Sequence, residues 1–168
     1  MTTEEFNTHF RTEHREIRDL ILNLMSGFMK EDRELCDKSL TRLAEVTGPH
    51  FRYEEKTVYP FLTEFYGEDY IKKLLTDHDI MIGRALMIKQ IIDDEFENEE
   101  RRKKGLEHVR GLLPHVSDCE GVSIMVERLG EDKLEAIKEA IDEAYKDNYN
   151  LVEWAENVRD RKYSRFSK

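Results

Sequence analysis

His50 and Glu54 lie four residues apart in the stretch GPHFRYEEKTVYPF. On a helix that spacing stacks both side chains on one face, about one turn apart. An imidazole and a carboxylate that converge in this way can hold a metal ion from one side. A second stretch, LPHVSDCEGV, repeats the theme with His115 and Glu120, five residues apart. Each of these histidines directly follows a proline, Pro49 or Pro114.

The elements that must carry these residues are helices. With 8 Gly and 3 Pro in 168 residues, the chain has few breakers. From residue 3 to 29, Phe6, Phe10, His14, Ile17, Ile21, Leu24 and Phe28 recur at threes and fours, an apolar stripe interrupted by one histidine. His9 falls off that stripe and is expected to face solvent. The second helix is expected from about Asp32 to Phe65, with Leu40, Leu43, Thr47, His50, Glu54, Thr57 and Phe61 on its buried face. Pro49 and Pro60 should kink or split it, and Gly67 should end it. A third helix from about Glu68 to Glu95 carries Ile71, Leu74, His78, Met81, Ala85, Ile88 and Ile92. A fourth, from about Asn98 to Leu129, carries Leu112, His115, Cys119, Val122 and Val126, with Glu120 beside the stripe. A fifth, from Glu131 to roughly Arg159, has an apolar face and no histidine. The basic tail RDRKYSRFSK is expected to be a solvated, frayed end.

Consecutive antiparallel helices bring residues equidistant from their turn to the same height. His14 and His50 are equidistant from residue 32, inside the turn MKEDRE; His78 and His115 straddle DDEFENEE in the same way. The interval from His50 to His78 centres on residue 64, close to Gly67. An all-α, up-down-up-down four-helix bundle over about 3–129, with an additional C-terminal helix over about 131–159, therefore sets all four histidines at one level. A buried carboxylate in such a layer is costly unless paired or metal-bound, and two would repel. Two divalent ions resolve both problems. Imidazole with carboxylate suits iron, manganese or zinc rather than calcium or copper(I).

Composition bounds the partners. The length suits a single domain. A formal net charge of −10 argues against nucleic acid or an anionic membrane surface. No apolar run approaches the roughly 20 residues of a membrane span, and the acidic N-terminus MTTEEFNTHF does not read as a secretory signal. Cys36 and Cys119 form no disulfide framework, so a cytoplasmic location is the default expectation. No serine or cysteine triad and no phosphate-binding glycine loop is evident.

At these residues the chain resembles the hemerythrin-like family of HHE cation-binding domains. TEHREIRDLI resembles the first-helix motif (His14), LAEVTGPHFRYEEKTVYPFL the second (His50 and Glu54), LLTDHDIMIG the third (His78) and LPHVSDCE the fourth (His115 and Glu120). The resemblance covers about residues 5–128. It implies a non-haem di-iron centre with both carboxylates bridging, one iron on His14 and His50 and the other on His78 and His115. Two departures stand out. Glu120 replaces an aspartate, and Leu74 stands where oxygen-carrying members have a further histidine, a gap that water, Glu55 or an exogenous ligand would fill. Three functions compete: reversible O2 binding as carrier, store or sensor; redox chemistry on O2, peroxide or nitric oxide, or iron–sulfur cluster repair; and iron storage. O2 binding ranks first. Tyr53, Tyr59 and Cys119 lie near the layer and could supply electrons or protons. The oligomeric state is not legible.

Overall fold

A computed structural model describes residues 1–162; the expectation for the far end of the basic tail, 163–168, lies outside the described residues. Among the described residues every regular element is helical. They are α1 (Thr3–Lys30), α2 (Arg33–Tyr53), α3 (Tyr59–Tyr66), α4 (Glu68–Gln90), α5 (Glu99–Arg110), α6 (Leu113–Val122), α7 (Glu131–Asp147) and α8 (Leu151–Asn157). A π-turn, Glu54–Val58, joins α2 to α3; another, Ile91–Glu95, extends α4; and a 3-10 segment, Ser123–Arg128, follows α6. No helix among the described residues is long and apolar enough to cross a membrane.

The ends follow from local chemistry. α1 opens with a capping box in which Thr2 accepts from the Glu5 N–H and Glu5 accepts from the Thr2 N–H. Asp32 caps α2 by accepting from the Leu35 N–H. Pro49 does not split the second helix and lies inside α2. Pro60 stands at the start of α3, and the turn before it widens: the Tyr59 N–H donates to the Glu54 carbonyl, five residues back. The widened turn absorbs the place where proline supplies no donor.

The expected fourth helix breaks at Gly111–Leu112 into α5 and α6, and the expected fifth is two helices, α7 and α8. Asn148, at φ 51°, stops α7 in the left-handed conformation that asparagine tolerates, and Asn150 caps α8.

The buried apolar side chains form two clusters. One gathers Ile17 to Phe28 of α1, Leu40 to Phe51 of α2, Met81 to Ile92, Val109 to Val116 and, from α8, Leu151, Trp154 and Ala155. The other gathers Phe6, Phe10, Tyr53, Tyr59, Leu62, Leu74, Cys119 and the apolar face of α7. Along each of the long helices one cluster ends and the other begins at the histidines. His14, His50, Glu54, His78 and His115 thus form a buried polar layer between two dry cores.

Candidate metal centre

Glu54 is the middle of the layer and is fully buried. Its Oε1 lies 3.4 Å from Nε2 of His50, and its Oε2 lies 3.3 Å from Nε2 of His78. Nε2 of His14 is 3.1 Å from Nε2 of His50. Two groups of convergent donor atoms result. His14, His50, Glu54 and Cys119 form one; Glu54, His78 and His115 form the other, with the donor atoms of each group all within 4.8 Å of one another. Glu54 is common to both.

Three histidines have a carboxylate behind them. Glu13 Oε2 is 3.0 Å from Nδ1 of His50 and Glu55 Oε1 is 2.8 Å from Nδ1 of His78. An ionised carboxylate can only accept, so each ring donates from Nδ1 and leaves Nε2 to face inward. Asp77 stands 3.9 Å from Nδ1 of His115, outside hydrogen-bond reach. Outer carboxylates of this kind orient imidazole ligands and raise their basicity. Aromatic packing fixes the same rings: Phe51 stacks on His78 at 3.7 Å between centroids, 5° from parallel.

Without an ion the layer leaves some of its buried polar atoms unpaired. Burial drives the Glu54 carboxyl upward, but His50 and His78 outweigh it and hold it well below the usual carboxylate range. Burial, reinforced by His50, pushes His14 down to about 3. That keeps its imidazole neutral, the form that ligates. Glu54 Oε2 and both ring nitrogens of His115 are buried without hydrogen-bond partners. Such orphaned polar atoms are costly in a dry interior. A cation among them satisfies Glu54 and the inward nitrogens together, so the donor set fits metal ions.

The structure departs from the sequence reading at several residues. Glu120 is partly exposed and belongs to neither donor group; Cys119 occupies the inward position instead. α6 is a regular helix, so the fourth residue after His115 returns to its face while the fifth points about 140° away. Cys119 donates to Oε1 of Glu54 at 2.7 Å. The opposite happens at Tyr59. It is the fifth residue after Glu54, yet the π-turn rolls it onto the same face, 3.2 Å from Nε2 of His78 and 3.3 Å from Sγ of Cys119. Glu55 backs His78 rather than filling the gap at Leu74. Tyr53 donates to Glu13, outside the donor groups, and His9 faces Glu13 at 3.2 Å rather than solvent alone. Leu74 is fully buried in the same apolar cluster as Tyr59 and Cys119. Cys36 and Cys119 are free thiols.

A helical bundle with histidines and a shared glutamate in a buried layer defines a class of metal-binding domain. Residues 6–122 match the hemerythrin HHE cation-binding domain, and the chain belongs to that family. No curated protein and no solved structure matches it.

Proposed function

We propose that this protein holds two iron ions in a carboxylate-bridged centre built into an up-down-up-down bundle, and that the centre binds O2. Glu54 carries the reading: its two oxygens face two different histidine pairs, the arrangement a bridging carboxylate needs. In this reading His14, His50, Glu54 and Cys119 hold one ion, and Glu54, His78 and His115 hold the other. Glu120 would join only if α6 opened into a π-turn. Imidazole and carboxylate suit iron, with manganese and zinc compatible with the same donors. When bound, the ions supply electrons and open coordination positions for a small diatomic ligand. The two apolar cores on either side exclude bulk water from the layer.

A second reading, redox turnover of O2, peroxide or nitric oxide, is favoured by one observation. An oxidisable phenol and an oxidisable thiol, Tyr59 and Cys119, touch one another and the donor groups. Iron storage gains no support, because the convergent donors among the described residues form two groups that share Glu54.

An optical spectrum separates the readings. Iron-loaded protein is reduced, exposed to air and then stripped of O2. A visible band that forms in air and vanishes on O2 removal supports reversible binding. Irreversible conversion to a ferric spectrum supports redox turnover. No spectral response to air contradicts both.

A further inference from the structure

The family match ends at residue 122, before α7 and α8 begin. We infer that this C-terminal segment is a two-point brace on the metal centre, with Tyr145 positioning His50 through Glu13 and Arg159 positioning His78 through Glu55. The inference rests on the metal-binding reading and adds residues to it.

Arg159 is the stronger arm. Its side chain is 2% exposed, although it lies just past α8 in a stretch that reads as a basic tail. Nε donates to Oε2 of Glu55 at 3.0 Å and Nη2 donates to Oε1 at 2.6 Å, the two-pronged fit of guanidinium on carboxylate. Nη1 lies 2.7 Å from Oδ1 of Asp79, whose other oxygen accepts from Arg161. Oε1 of Glu55 also accepts from Nδ1 of His78. A carboxylate on a flexible side chain is a poor guide for a ring unless it is itself fixed. Arg159 fixes it. The same segment reaches His78 by an apolar route: Trp154 packs edge-on against Phe51, which stacks on His78.

Tyr145 is the second arm. Its hydroxyl donates to Oε1 of Glu13, whose other oxygen accepts from Tyr53 and from Nδ1 of His50. Tyr145 comes from α7, Arg159 follows α8, and each ends on the outer carboxylate of a different donor group. The segment is seated where this matters. A Cβ at Gly48 would stand 2.2 Å from the Tyr149 carbonyl oxygen, so only glycine lets the α7–α8 connection lie against α2, two residues before His50. Arg52 of α2 holds α7 through Glu143 at 3.0 Å and Asp147 at 2.8 Å.

The test uses the full chain, freed of metal and titrated with Co(II). Binding is counted by equilibrium dialysis, and the hyperfine-shifted ring N–H protons of His50 and His78 are followed by NMR. Wild type is expected to take two ions and show both protons. Arg159→Gln should weaken one ion about tenfold, the low end of what outer-sphere changes cost. It should also lose the His78 N–H signal to solvent exchange while keeping that of His50. Tyr145→Phe should do the converse, and Arg159→Lys should restore part of the His78 signal. A role in stability alone would lower the melting temperature and move neither proton selectively. If Arg159→Gln does not fold, Arg159→Lys decides, and a wild-type His78 signal and affinity in it would overturn the brace. Two ions bound at wild-type affinity with both protons intact in Arg159→Gln and Tyr145→Phe would also overturn it, as would loss of both ions together in either. A wild-type chain that binds no Co(II) would count against the metal reading itself.

Discussion

Glu54 and His78 meet with Oε2 3.3 Å from Nε2, while the other oxygen of the same carboxylate faces His50. One fully buried side chain therefore links histidines from two halves of the chain. Its loss should be felt by both donor groups. Glu54→Gln keeps the shape and removes the charge. We expect it to weaken both ions by more than about 100-fold, beyond the usual cost of losing an outer partner. The iron-loaded protein should lose more thermal stability than the metal-free protein, because metal binding stabilises only the folded chain. Retention of two tightly held ions in this variant, counted by elemental analysis, would remove the bridge.

Cys119 and Glu120 make opposite predictions. With α6 helical, Cys119→Ser should abolish the near-ultraviolet thiolate charge-transfer band of the Co(II)-loaded protein, and Glu120→Gln should leave the band and both ions in place. A Glu120→Gln variant that drops an ion, beside a Cys119→Ser variant that does not, would show that α6 widens on loading.

Much of this centre was legible beforehand. Apolar stripes interrupted by His14, His50 and His78 set those three at one height, because helical period and turn position together fix height in a bundle, and the structure brings them into the two donor groups. The departure at Glu120 has one cause: a residue five places after His115 reaches the same face only where the helix widens. The π-turn at Glu54–Val58 brings Tyr59 inward, whereas α6 lacks such a turn and leaves Glu120 outside. Pro60 marks the first site, because it supplies no N–H for a regular helical bond, and no proline follows Glu120. Arg159 was missed for another reason. Its partners Glu55 and Asp79 lie about 80 to 104 residues away in the chain, and a basic run at a terminus resembles any solvated end.

Tyr59 tests the redox reading. Tyr59→Phe removes a buried hydroxyl that contacts His78 and Cys119, at a cost of about 1–2 kcal/mol in stability. If the phenol supplies an electron or a proton, the aerated form of the iron-loaded variant should decay at least about tenfold more slowly, a change of about 1.4 kcal/mol in barrier. An unchanged decay rate excludes that role. Leu74→His, which adds an imidazole beside the layer, should lengthen the life of the oxygenated form; no change with the new ring unligated would mean that position 74 does not set the chemistry.

Cys36 gives a pH dependence remote from the metal layer. Burial, helped by Asp32, raises its thiol from 9.0 to about 12. Above pH 9 the unfolded chain releases this proton and the folded chain keeps it. The contribution is therefore fully present below pH 9 and is lost as pH rises toward 12, by up to about 1.4 kcal/mol per pH unit. Urea melts of metal-free protein from pH 8 to 11 should fall less steeply with pH in Cys36→Ala than in wild type. Parallel slopes would mean that the thiol ionises within the fold.

The most direct test is the number of metal ions the chain holds. Metal-free protein is reconstituted with Fe(II) under anaerobic conditions, freed of excess iron and assayed for iron and protein. Two irons per chain are expected, both lost from Glu54→Gln. One iron per chain, or none, in folded wild-type protein would contradict a centre bridged by Glu54.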